Sequence, residues 1–131
     1  MKGYDVVLTR RAKNDIIDIG DYIAYTLLEP EAAYHFVTGL RSSISTLQEL
    51  PNRFGLVDDL VLSNQGIHCM PYKNYYVFYE IKETMNTVVV LRVGYNRRNW
   101  KEILLYGNGL TSVNDIKILF AGVIFIKQNM F

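Results

Sequence analysis

Two apolar stripes separated by a single proline constrain this chain more than any other feature. From Ala12 the stripe continues at Ile16, Ile19, Ile23 and Leu27, and from Ala33 at Val37, Leu40, Ile44 and Leu47, with Phe36 widening the second row. Steps of four and three place each set along one helical face. Pro30 suits the first turn of the second helix, where its missing N–H costs nothing, and Pro51 closes the run. Ahead of the first stripe, "YDVVLT" (4–9) predicts a strand, and its Thr9 can cap the helix that follows. Two adjacent helices have two stripes to bury, and a sheet covers both better than the helices cover each other.

The strands of that sheet are expected downstream. "GIHCM" (66–70), "YYVFYEIK" (75–82) and "TVVVLRVGY" (87–95) are rich in aromatic and β-branched residues and are separated by the turn-like "PYKN" and "ETMN". Alternation predicts that Tyr75, Val77, Tyr79 and Ile81 meet the helices, with Tyr76, Phe78, Glu80 and Lys82 on the other face. In the last strand the same rule assigns Val89, Leu91 and Val93 to the helix side. Val88, Val90 and Arg92 are left to an open face, where Glu80 is the obvious ion-pair partner for Arg92. The fold class is therefore α+β, with two N-terminal helices on one face of a mainly antiparallel sheet.

The chain has 131 residues, half of them apolar, which suffices for one packed domain with one core. Its net charge is +1, with six basic and nine acidic side chains in residues 1–65 against six basic and three acidic in 66–106. So small a total disfavours indiscriminate coating of DNA and points to a local basic patch. The patch is visible in "VVVLRVGYNRRNW" (88–100), where Arg92, Tyr95, Arg97, Arg98 and Trp100 fall within nine positions. A planar guanidinium suits carboxylate or phosphate, and Tyr76, Phe78, Tyr95 and Trp100 offer surfaces for a base or a partner's side chain. Alternation turns Tyr95 toward the helices, however. Arg97 and Arg98 are expected at the start of a short helix, where the dipole favours anions, and that cost argues for a functional role.

Other residues carry less. The lone Cys69 has no partner for an internal disulfide and no basic neighbour to activate it, so it is read as a small strand hydrophobe. With two histidines, His35 and His68, no structural-zinc spacing exists, and neither a metal nor a cofactor is expected. Asp15, Asp18 and Asp21 form an acidic row read as a solvated helix face. The N-terminus lacks the apolar run of a secretory signal, so the cytoplasm is the expected location.

Taken in order, "YDVVLTRRAKNDIIDIGDYIA", "LPNRFG", "MPYKNYYVFYEI" and "VVVLRVGYNRRNW" resemble the RelE/ParE superfamily of bacterial type II toxins over residues 1–106. The resemblance implies a small toxin that arrests growth when released from a cognate antitoxin. It implies one of two targets: DNA gyrase, blocked by binding in the ParE mode, or messenger RNA on the ribosome, cut in the RelE mode. The RelE pattern places an arginine where this chain has Tyr76 and two lysines near Ile67 and Cys69, so three of its usual cations are missing. Gyrase binding is therefore preferred. The nuclease alternative would use His68, Arg92, Arg97 and Arg98, with His68 suited to proton transfer and Tyr76 beside them. As a strand residue between apolar neighbours, His68 also reads as semi-buried structure. A nontoxic interaction module on the same fold is the third reading. Either way, Tyr76, Phe78, Arg92, Tyr95, Arg97, Arg98 and Trp100 are the candidate partner-binding residues.

Residues 107–131, "GNGLTSVNDIKILFAGVIFIKQNMF", have no counterpart in that resemblance. The charge-free stretch between Lys117 and Lys127 is far short of the roughly 20 residues a membrane-spanning helix needs. Such apolar segments must be covered, and the extension is expected to join the chain's own sheet edge or to pair with a second copy.

Overall fold

The computed structural model describes residues 3–106, 116–120 and 123–127; the remainder of the expected C-terminal extension lies outside the described residues. Strand β1 (Asp5–Leu8) leads into helix α1 (Arg10–Asp21), and α2 (Pro30–Ser45) follows. A short helix α3 (Leu60–Asn64) precedes β2 (His68–Tyr72), β3 (Tyr75–Lys82) and β4 (Thr87–Tyr95). Helix α4 (Trp100–Tyr106) and the strands β5 (Ile116–Phe120) and β6 (Val123–Lys127) complete the order. The sheet runs β2-β3-β4-β1-β6-β5, with β2, β3 and β4 antiparallel and β1 parallel to both β4 and β6. The extension thus adds strands to the chain's own sheet at the β1 edge. Among the described residues no helix is long and apolar enough to cross a membrane.

Thr9 joins the first strand to the first helix. Its hydroxyl oxygen accepts the Ala12 amide at 3.1 Å, and its O–H donates to the Leu91 carbonyl at 3.0 Å. The predicted stripes meet the sheet, since Ala12, Ile16, Phe36, Leu40, Ile44 and Leu47 pack with Val77 and Tyr79 in one buried cluster. Leu27 departs from its stripe and is exposed. The cause is a π-helical turn over Tyr22–Thr26, closed by the Leu27 amide on the Tyr22 carbonyl at 3.0 Å, which rotates the chain beyond it off the helix's period.

Alternation holds in β3, where Tyr75, Val77, Tyr79 and Ile81 all face the helices. The Tyr79 hydroxyl donates to the Pro51 carbonyl at 2.6 Å in a buried position. Tyr79→Phe is expected to lower the unfolding free energy by about 1–3 kcal/mol, because it strands a buried carbonyl; urea denaturation checks this.

Alternation fails in β4. The register steps from Phe78↔Arg92 to Tyr79↔Val90, leaving Leu91 without a cross-strand partner. This bulge reverses the facing of everything before it. Val88 and Val90 lie on the helix side, Val89 and Leu91 lie opposite, and of the expected helix-side row only Val93 is where alternation put it.

The opposite face is not open either. Val7, Phe78, Val89 and Leu91 are covered by Leu62 of α3 and by Trp100 and Leu104 of α4, which form a second buried cluster. One core was expected and the sheet separates two. Arg92 is correspondingly only 8 % exposed.

Candidate functional site

β1 ends opposite Val90, so the last turn of β4 runs on without a strand beside it, and α1 places Asp15 at that margin. Asp15 takes the Arg92 guanidinium in a two-pronged contact, Nε to Oδ2 at 2.7 Å and Nη2 to Oδ1 at 2.9 Å, and also accepts the Val93 amide at 2.9 Å. The expected partner, Glu80, instead pairs with Lys82 at 2.8 Å. Asp15 is therefore no solvated helix residue, and Arg92 is a structural cation.

Beyond the strand the backbone turns through Asn96, Arg97, Arg98 and Asn99 before α4 begins at Trp100. The Trp100 Nε1–H donates to the Tyr95 carbonyl at 2.8 Å, which folds the indole back over Gly94. A Cβ built on Gly94 would sit 2.5 Å from Cζ2 of that indole, so the ring can lie there only because the strand has no side chain at this point. Asn99 caps the helix, with its Oδ1 accepting the Glu102 amide at 3.4 Å and its amide nitrogen donating to the Glu102 carboxylate at 3.3 Å. Arg97 and Arg98 thus precede the helix rather than occupy its first turn, and the dipole conflict expected for them does not arise.

A cleft of about 460 Å³ opens between this turn, the α3 loop and the sheet, with Tyr76, Asn96, Arg98 and Lys101 around it. Its floor is aromatic. Tyr76 meets Phe78 edge-on at 5.7 Å, Phe78 lies 4.9 Å from Trp100, and the Arg98 guanidinium sits 5.3 Å above the Trp100 ring. On the other wall, Asp59 caps α3 by accepting the Val61 and Leu62 amides at 3.0 and 3.1 Å, and Lys101 approaches it at 3.5 Å. The Leu62 amide, and secondarily Lys101, hold the Asp59 carboxyl below its ordinary range. Cys69 also lines the cleft, and burial pushes its thiol up to about 12, which leaves it protonated and unreactive. The arrangement suits a flat or chain-like partner that brings acidic groups to Arg98.

A sequence model described as the ParE toxin of type II toxin–antitoxin systems matches residues 6–100. The chain belongs to the ParE toxin family. Two solved structures share the fold of this toxin. One is the chromosomal ParDE toxin–antitoxin system from P. aeruginosa, 20% identical with a TM-score of 0.56, covering 69% of this chain and 95% of that one. The other is the RelBE2 toxin–antitoxin complex from Mycobacterium tuberculosis, 23% identical with a TM-score of 0.51, covering 72% of this chain and 93% of that one. No curated protein sequence matches the toxin.

Among the candidate residues, the toxin brings Tyr76 and Arg98 together at the cleft, over the buried pair Phe78 and Trp100. Arg97 is exposed on the same turn. Tyr95 faces the helices, 6.0 Å from Tyr75, and lines a separate hollow with Asp18 and Tyr22. His68 is also remote from the arginines. It pairs across the sheet with Tyr79, stacks on that ring at 5.1 Å, and holds the Phe54 carbonyl through Nδ1 at 2.8 Å, the semi-buried structural role. His68, Arg92, Arg97 and Arg98 therefore do not converge. Lys101, Asn96 and Asp59 were missed by the sequence reading. The Asn99-to-Glu102 spacing, a helix-start signature, could have brought Lys101 onto the turn beside Arg98.

Proposed function

We propose that this toxin arrests growth by binding DNA gyrase through the cleft around Tyr76, Arg98 and Lys101, and that a cognate antitoxin holds it inactive. The observation that carries the preference for binding over RNA cleavage is the commitment of the candidate chemical groups. Arg92 is consumed by Asp15, Lys101 is shared with Asp59, His68 is turned to the opposite face, and the Cys69 thiol is protonated. A ribonuclease needs cations and a proton-transfer pair aimed at one phosphorane, and these groups do not share a focus. The family match supports the gyrase mode, and the two solved neighbours, both described as toxin–antitoxin assemblies, support an antitoxin partner.

Purified toxin is expected to abolish supercoiling by gyrase. The Arg98→Ala/Lys101→Ala double variant should need about tenfold more protein for the same inhibition, while melting within a few degrees of the parent because both side chains are exposed. Codon-phased cuts in a message, mapped by primer extension while supercoiling stays intact, would establish the nuclease alternative instead. Growth unaffected by expression would favour a nontoxic interaction module.

A further inference from the structure

The hairpin formed by α1 and α2 carries features that folding alone does not require. Its connection holds a π-helical turn over Tyr22–Thr26, followed by Leu28 in the left-handed region at φ 58°. A leucine there is strained by its Cβ, and glycine is the usual occupant of such a position after a helix. The strain does not serve burial. Leu28 is 78% exposed, Tyr25 75% and Tyr34 66%, and Leu27 and Ile17 are exposed beside them. Large apolar side chains gathered on one hairpin mark a contact surface rather than a random surface scatter.

The charge around these side chains narrows the occupant. From Asn14 to Leu40 the sequence has no lysine or arginine, and apart from Asp15, which is occupied by Arg92, it carries Asp18, Asp21, Glu29 and Glu31. An acidic rim repels nucleic-acid phosphate and anionic lipid, and it repels the same hairpin of a second copy. It attracts a cationic surface. We propose that the α1–α2 hairpin is a second docking surface for a protein segment that is basic on one side and apolar on the other, such as an amphipathic helix with lysines or arginines flanking leucine-type anchors. The hairpin and the cleft lie on opposite faces of the sheet, because the hairpin packs with Val77 and Tyr79 whereas the cleft is floored by Phe78 and Trp100. The toxin can therefore hold two partners at once.

The test uses the full chain and a synthetic amphipathic helix of leucine and lysine, with binding followed by fluorescence anisotropy. Leu28→Gly separates docking from folding because it relieves the left-handed strain while removing an anchor. It is expected to melt about 3 °C or more above the parent and yet bind the peptide about tenfold more weakly. Tyr25→Ser should weaken binding similarly, and added salt should weaken it in the parent. Three results would each overturn the proposal: undiminished binding by both variants, equal binding of a leucine–glutamate helix, or sedimentation showing a dimer of the toxin that Leu28→Gly dissolves.

Discussion

Alanine at Asp15 is expected to lower the unfolding free energy by about 3–5 kcal/mol, the cost typical of leaving one member of a buried ion pair alone. The carboxylate serves three donors, Nε and Nη2 of Arg92 and the Val93 amide, so its loss leaves a buried guanidinium and a strand amide without their acceptor. Arg92→Ala removes the charge from the other side and should cost less than Asp15→Ala, since Asp15 keeps the Val93 amide. The double variant should fall well short of the sum of the two single losses, because both remove one interaction. Chemical denaturation of the four proteins measures this. Additive losses would show that the two groups stabilise the fold independently.

The second large effect is expected at the indole that floors the cleft. Trp100→Ala should cost about 3–5 kcal/mol, as large aromatic truncations in a core do. Gly94→Ala should cost about 1–3 kcal/mol by pushing a methyl group into that indole. Once Trp100 is already alanine, the same glycine change should be nearly neutral, because the atoms it strikes are gone. Thermal melts of the single and double variants decide this. An undiminished penalty for Gly94→Ala in the absence of the tryptophan would mean that the strand backbone itself requires glycine.

The helical half of the fold was legible because its signals are local. Thr9 before an apolar stripe, a proline at the next helix start and a three-four spacing each speak within a few residues. The sheet was legible as strands but only partly as faces. A bulge at Leu91 has no residue signature, since valine and leucine fit either side of it, yet it reverses the facing of Val88, Val89 and Val90. The second core was hidden for a different reason. Its pieces, Leu62, Phe78, Trp100 and Leu104, are far apart in the chain, and α3 is only five residues long, too short to show a period. The arginine-rich turn announced the site's position, but the turn's composition did not disclose that Arg92 is taken by an aspartate 77 residues earlier. Long-range pairing of that kind is set by where β1 stops, which no short pattern encodes.

The parallel pairing of β1 with β4 also sets a timetable. Asp5 lies opposite Thr87, so the first strand leaves the ribosome long before its neighbour has been made. At about 5–20 residues per second the nascent chain carries an unmatched valine-rich strand for roughly 4–16 s. Neither the layered sheet nor the two surfaces built on it exists during that interval. Newly made toxin is thus inert until translation is nearly finished, which gives any inhibitor already present in the cell a head start.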